Sequence, residues 1–431
     1  MWTQRKDEEV ARSVLPSGAR VVTDRMTEAN SVCIGFWVGV GSRDEPAPTA
    51  GISHFLEHLI FKGTESRSAR QIAEEVDAVG GEMNAFTTRE YTAYHIRVPA
   101  GRFEFAMDLM CEVLTEPAFR AEEVEAERSV IVEEILLSND TPDDLVVSLL
   151  YQNAFPSHPL GREILGSLDT VRSVQREHVD EFFRTSYTPS NLVVAVAGRI
   201  DHDAVCAALE PRLEGLPVGG RPVRRAPDGF ARGVHVKSKE TDQVHLAIGW
   251  PGVPNRDEDR YAVAVFNHLF GGGTSSRLFQ EIREDRGLAY SIWSQHASFA
   301  DAGLLSVYVG TAPERVGEVL EIVAGVVGDL LERGCKPRER DVAVGFLEGS
   351  LLLSLEESGG RMGRLGVDET LRGEVVPLSE HVERLRSVDL DDVARVAARI
   401  LSAEPVVACV GPIEADDPMF EEFAEALSQT A

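Results

Sequence analysis

The chain resembles itself, and no other feature narrows its fold as much. The segment Val32–Glu45, VCIGFWVGVGSRDE, can be laid on Val244–Glu258, VHLAIGWPGVPNRDE, with one gap. Farther along, LEHLIFKG (Leu56–Gly63) lies opposite FNHLFGGG (Phe266–Gly273). In each half a strand, Leu304–Val309 in the second, then leads into a long helix. Weak matches that keep their order point to an internal duplication of a unit of roughly 200 residues. A chain of 431 residues, 43% of them hydrophobic, has room for two such units, each with its own core.

Within the first half the pattern alternates. Residues 19–24 and 31–40, Met83–Phe86, Thr92–Val98 and Asn191–Gly198 have the apolar character of strands. Ala50–Lys62, Ala69–Val79, Phe103–Glu116, Ala121–Ser138 and Asp203–Leu213 read as helices, the fourth opened by acidic Glu122 and Glu123. Leu216–Gly233 is rich in Pro, Gly and Arg, lacks periodicity and reads as a linker. The expected fold is α+β: two similar halves, each a mixed sheet with helices packed on it, joined by that linker. The expected domains are residues 1–215 and 234–431, with 216–233 between them. The run Gly271–Gly273 lacks the GxxxxGK[ST] pattern of a phosphate loop and is expected to be a flexible connection.

Composition removes several classes of function. No apolar run reaches the ~18–20 residues that a membrane span needs, so no membrane partner is expected. The start, Met1–Val10, is charged and has no apolar signal region, which predicts a cytoplasmic protein. A formal charge of −28 repels nucleic acid. The five cysteines (Cys33, Cys111, Cys206, Cys335 and Cys409) are odd in number, far apart and free of CxxC pairs. They are expected to be small buried hydrophobes rather than disulfides or metal ligands.

One constellation carries chemistry. His54-Phe55-Leu56-Glu57-His58 places two histidines at i and i+4, on one face of a helix. Two such imidazoles can share a zinc ion, and Glu57 can reach a water activated there. This inverted H-x-x-E-H order is a zinc-peptidase arrangement; the bland alternative is two histidines making ordinary hydrogen bonds. In the second half His58 becomes His268, Glu57 becomes Asn267 and His54 becomes Ala264, so only the first half retains a metal motif. A catalytic zinc needs a third protein ligand. The helix at 121–138 offers Glu127, Glu133 and Glu134, with Glu127 and Glu134 two turns apart on one face and Val130 and Ile131 between them. Spacing alone does not choose between Glu133 and Glu134.

With these residues in view, almost the whole chain resembles the family of pitrilysin, insulin-degrading enzyme and the mitochondrial processing peptidases, in particular its short bacterial members. HFLEHLIFKGT (His54–Thr64) is similar to the family's zinc helix, and GGEMNAFTTREYTAYH (Gly80–His95) to its edge strand beside the site. ERSVIVEEI (Glu127–Ile135) is similar to its paired acids. SHPLGREILG (Ser157–Gly166) and YTPSNLVVAVAGRI (Tyr187–Ile200) resemble family signatures of fold. The resemblance implies a zinc-dependent metalloendopeptidase. Glu134 would be the third metal ligand beside His54 and His58, Glu57 the base, and Glu127 a supporting acid. Asn84 and Ala85 would hold the substrate backbone as an added edge strand. From SSRLFQEIREDRGLAY (Ser275–Tyr290) it implies that Arg283 and Tyr290 face the zinc across a closed chamber and stabilise an oxyanion. Without the family, a surface ion pair, a core aromatic and, for Asn84, a turn residue are the plainer assignments. Short members pair, so a homodimer, or a heterodimer with a related chain, is expected around a peptide substrate. The alternatives are a specialised amide hydrolase for a leader peptide or peptide-like metabolite, and a non-catalytic subunit of a peptidase complex.

Overall fold

The apolar runs build eleven strands in two sheets in the computed structural model, which describes residues 9–213 and 215–429. Of the charged start Met1–Val10, residues 1–8 lie outside the described residues. The first sheet holds β1 (Glu9–Val14), β2 (Arg20–Arg25), β3 (Ser31–Val38), β4 (Glu82–Thr87), β5 (Thr92–Pro99) and β6 (Leu192–Gly198), in the order β1-β2-β6-β3-β5-β4. The second holds β7 (Gly233–Ser238), β8 (Val244–Gly252), β9 (Ala289–Ser298), β10 (Gly303–Thr311) and β11 (Val406–Gly411), in the order β7-β11-β8-β10-β9. Without β1, the first order becomes the second when β2–β6 are replaced one by one with β7–β11. Pairing type matches as well. β2/β6 and β7/β11 are the parallel pairs, and every other pair is antiparallel. The duplication legible in the sequence is thus a duplication of topology.

The chain forms two compact units. The first comprises residues up to Ile135, Arg162–Arg224 and Leu352–Leu378. Its central strand β6, LVVAVAG, is buried along its whole length, which requires cover on both faces. On one face Phe55, Leu56 and Leu59 of α1 (Ile52–Ile60), beside α2 (Ala69–Ala78), pack with Met107 and Met110 of α3 (Phe103–Thr115) and Ile131 of α4 (Ala121–Asp140) against Ile34, Phe36 and Val194. The alternate residues Cys33, Trp37, Val193 and Ala195 face the other way and meet Met362 and Leu365 of the helix Ser358–Val367. That helix lies so close that a Cβ on Gly366 would come within 2.0 Å of the Trp37 ring. Buried ion pairs pin the same segment: Glu369 accepts both guanidinium donors of Arg12 at 2.8 and 2.9 Å and one from Arg20 at 3.1 Å, and Arg361 meets Asp24 at 2.8 Å.

The second unit comprises Leu136–Gly161, Arg225–Leu351 and the residues from Ser379. One face of its sheet (Leu246, Ile248, Val307, Val309) is covered by Val263 and Phe266 of the helix Arg260–Asn267, Val319 and Val323 of Val316–Arg333, and Val396 and Ile400 of Leu390–Leu401. The other face, Ala247, Leu304 and Val406, receives Leu145, Val146 and Leu150 of α5 (Pro142–Ala154). The Gly271–Gly273 run is not a flexible connection. Residues His268–Gly272 continue the preceding helix as a π-type turn, and Gly271 is buried with its α-carbon hydrogen toward Ser294, where a Cβ would sit 2.9 Å away. Close packing, not mobility, requires glycine there. The five cysteines are free; four are buried, and Cys206 is half-buried beside His202. Among the described residues no helix is long and apolar enough to cross a membrane.

Candidate metal centre

Helix α1 is held at its start by two unusual residues. Gly51 at the N-cap has φ 96°, a left-handed conformation, and a Cβ there would lie 2.6 Å from the Leu165 carbonyl oxygen. A helix begins with unpaired backbone N–H groups, and no side chain at the cap satisfies them here. Instead the buried Glu45 carboxylate accepts from the N–H groups of Gly51 and Ser53, each at 2.7 Å. Burial pushes its pKa up to about 8 against the pull of those two amides. The apolar residues Ile52, Phe55, Leu56, Leu59 and Ile60 then bury one side of α1, which fixes where His54 and His58 point.

The two imidazole rings lie with centroids 4.6 Å apart. Glu134 of α4 brings its Oε2 to 3.7 Å from His54 Nε2 and 3.8 Å from His58 Nε2. One ligand atom from each of the three residues falls within 4.8 Å of the others, and among the described residues this is the one such group of potential metal ligands. Glu133 is exposed and takes no part. Val130 does not share the inward face as the spacing suggested: it is 50% exposed, whereas Ile131 is fully buried. Burial, reinforced by the charge of His58, lowers the His54 pKa to about 4, so its ring is neutral and its lone pair is free near neutral pH. Two imidazoles and a carboxylate form a donor set that fits zinc, with a fourth position left for water or substrate.

Around this cluster stand three further side chains. Glu127, buried on α4, accepts from His58 Nδ1 at 3.0 Å. Glu57, on α1, accepts from the Thr87 hydroxyl at 2.6 Å. Burial raises the Glu57 pKa, and the Thr87 bond opposes that rise. Thr87 ends β4, an edge strand that pairs only with β5 among the described residues. Asn84 and Ala85 both lie in β4 rather than in a turn, and the Asn84 side-chain oxygen accepts the Ala85 N–H at 2.8 Å. Arg283 and Tyr290 belong to the second unit, where the Arg283 guanidinium lies 4.6 Å from the Tyr290 ring centre and 4.9 Å from that of Phe279. Tyr290 is 77% exposed, so it is not a core aromatic.

The second half keeps a relic of the arrangement. Asn267, opposite Glu57 in the internal alignment, accepts a hydroxyl from Ser294 on β9 at 2.9 Å, as Glu57 does from Thr87 on β4. His268, opposite His58, stacks on Phe346 at 4.2 Å instead of meeting a carboxylate. Sequence reasoning missed Glu45, Thr87 and Lys62, the last of which contacts Glu127 at 2.6 Å. The signal for Glu45 was present in the shared RDE of the two repeats, and that for Thr87 in the alternation of β4.

Two family models match the chain: Insulinase (Peptidase family M16) over residues 20–168 and Peptidase M16 inactive domain over residues 173–344. A protein of Streptomyces coelicolor named an uncharacterized zinc protease is 41% identical over 414 residues, covering 94% of this chain and 90% of its own. Proteins with the same name from Mycobacterium tuberculosis (40% over 406 residues, 93% of each chain) and Bacillus subtilis (36% over 403 residues, 94% and 98%) are also similar. Among solved structures, a peptidase M16 inactive domain from Pseudomonas fluorescens matches with TM-score 0.89 at 21% identity, covering 95% of this chain and 99% of that one. A protease from Helicobacter pylori matches with TM-score 0.87 at 22% identity, covering 94% and 100%.

Proposed function

Because the chain belongs to the insulinase-like peptidase family M16, we propose that it is a zinc metallopeptidase that hydrolyses peptide bonds, with His54, His58 and Glu134 as its metal ligands. The observation that carries this reading is the convergence of His54 Nε2, His58 Nε2 and the Glu134 carboxylate, with Glu57 on the same helix. The zinc-protease names of relatives up to 41% identical support it.

Zinc held by these three residues supplies a Lewis acid that polarises a scissile carbonyl and acidifies water beside it. Glu57 takes the proton from the attacking water and delivers it to the leaving amine. Burial, which raises its proton affinity, suits a carboxylate that must both accept and release a proton. Thr87 orients that carboxylate, and Glu127 orients the His58 ring. An extended peptide adds to the outer edge of β4, with Ala85 N–H as a donor once the Asn84 side chain releases it. Arg283 and Tyr290 carry donors suited to a developing oxyanion. Pairing of two chains around a chamber is part of the same reading, and the mass of the protein in solution checks it.

The direct test is Glu57→Gln. The variant is expected to bind zinc as the wild type does and to lose turnover by orders of magnitude. Full turnover in a zinc-replete Glu57→Gln protein would remove Glu57 as the base. A substrate screen that sets unfolded peptides against small aminoacyl amides separates a general peptidase from a specialised amide hydrolase.

A further inference from the structure

The two histidines of α1 are secured in different ways. His54 is 8% exposed and held by packing, and its Nδ1 is buried with no hydrogen-bond partner among the described residues. His58 is more open, and its Nδ1 meets Glu127 Oε2 at 3.0 Å. The other oxygen of that carboxylate, Oε1, lies 2.6 Å from Nζ of Lys62, four residues beyond His58 in the turn that follows α1. Glu127 is 4% exposed, so its charge needs partners. It has two, one on each oxygen.

We propose that Lys62 is a positioning residue for the metal, acting through Glu127 on His58. This rests on the reading of His54, His58 and Glu134 as zinc ligands. An ammonium bound to Oε1 fixes the direction of the Glu127 carboxylate and leaves Oε2 toward His58. That oxygen therefore accepts a proton on His58 Nδ1, and the lone pair of His58 stays on Nε2, the nitrogen that faces Glu134. Without the ammonium the buried carboxylate keeps a single partner and is free to turn, and the ring loses its fixed orientation.

The choice of lysine is itself informative. The chain has 38 arginines and five lysines. The buried carboxylates Asp24, Glu90 and Glu369 all pair with arginine. Arginine takes both oxygens where its fork fits, as Arg12 does on Glu369. Such a fork on Glu127 would occupy a lone pair on each oxygen and set the direction of the carboxylate itself, so that His58 would have to fit that geometry. Lysine is a single-point donor and leaves Oε2 free.

The test is a double-mutant cycle read as zinc affinity of the metal-free full chain, by competition with a chromophoric chelator. Folding of each variant is checked by circular dichroism, and Lys62→Gln replaces Lys62→Met if the latter does not fold. Lys62→Met is expected to weaken zinc binding by about 10- to 100-fold, as loss of a partner behind a ligand does. Glu127→Met is expected to weaken it to a similar degree, and the double variant to match Glu127→Met within about twofold, since residues acting through one another are not additive. Wild-type affinity in Lys62→Met, or the same loss from Lys62→Met with and without Glu127, would overturn the proposal. A wild-type protein that binds no more zinc than its His54→Ala variant would overturn the metal reading, and this inference with it.

Discussion

Replacing Thr87 with valine isolates one hydrogen bond at Glu57, the proposed base. Valine has nearly the shape of threonine and suits a strand, so β4 and its pairing with β5 are retained. What disappears is the hydroxyl that Thr87 donates to Glu57 Oε2 at 2.6 Å. A hydrogen bond to a charged group contributes roughly 1.5–3 kcal/mol. At about 1.4 kcal/mol per factor of ten, kcat/KM should fall by about 10- to 150-fold. Two effects act in the same direction. The carboxylate is no longer aimed, and its pKa, which burial raises and Thr87 holds down, moves higher. The acid limb of the pH–rate profile therefore shifts to higher pH. Thr87 touches none of the three proposed ligands, so zinc content should not change. The assay is kcat and KM on a quenched peptide across the acid limb, with zinc measured on each sample and Thr87→Ser as the control that restores the hydroxyl. Full activity in Thr87→Val, or equal losses in the valine and serine variants, would mean that the Thr87 hydroxyl does not support Glu57.

Gly51→Ala forces a side chain into a left-handed conformation and against the Leu165 carbonyl at the head of α1. A loss of at least ~1–3 kcal/mol in stability is expected, together with weaker zinc binding; an unchanged melting temperature would contradict it. His54 is held neutral by burial, with a pKa pushed down to about 4 from an ordinary 6.5. Between these values the unfolded chain binds a proton that the folded site refuses, so the zinc-free protein should lose stability as pH falls through that window, by an order of about 3 kcal/mol at completion. His54→Leu should lack this acid sensitivity in urea midpoints, and equal sensitivity in both proteins would count against the account. Tyr290→Phe is expected to lower kcat by about 10²–10³-fold, the cost of one oxyanion donor, with zinc content constant. Unchanged kcat would remove Tyr290 from the chemistry.

Periodic features were legible in the sequence. The i, i+4 histidines lie on a helix because the apolar residues between them bury its other side, and the shared RDE and GFW/IGW segments align because β3 and β8 hold equivalent places in their sheets. Features that depend on long-range packing were not legible. Glu369 meets Arg12 across 357 positions, and nothing local in SGGRMG announces a helix against Trp37. The glycines after His268 suggested mobility because composition does not distinguish a loose glycine from one pressed on Ser294. In the site, seven-residue spacing put Glu127 and Glu134 on one face but did not show that one turns to the Nδ1 of His58 and the other to its Nε2. Nor did it show that Val130 lies outside that face, because a 100° step per residue leaves the rim of a helical stripe undetermined until the neighbouring helix is in place.

His54, His58 and Glu134 are proposed to bind the zinc that this chain uses to cleave peptides. Zinc stoichiometry on the purified protein, paired with cleavage of a quenched peptide library before and after chelation, tests it most directly. About one zinc per chain is expected, the count of a single catalytic site, with cleavage that stops on chelation and returns with zinc. A protein that takes up no zinc when the metal is supplied, or that cleaves equally well without it, would not be a zinc peptidase working through these residues.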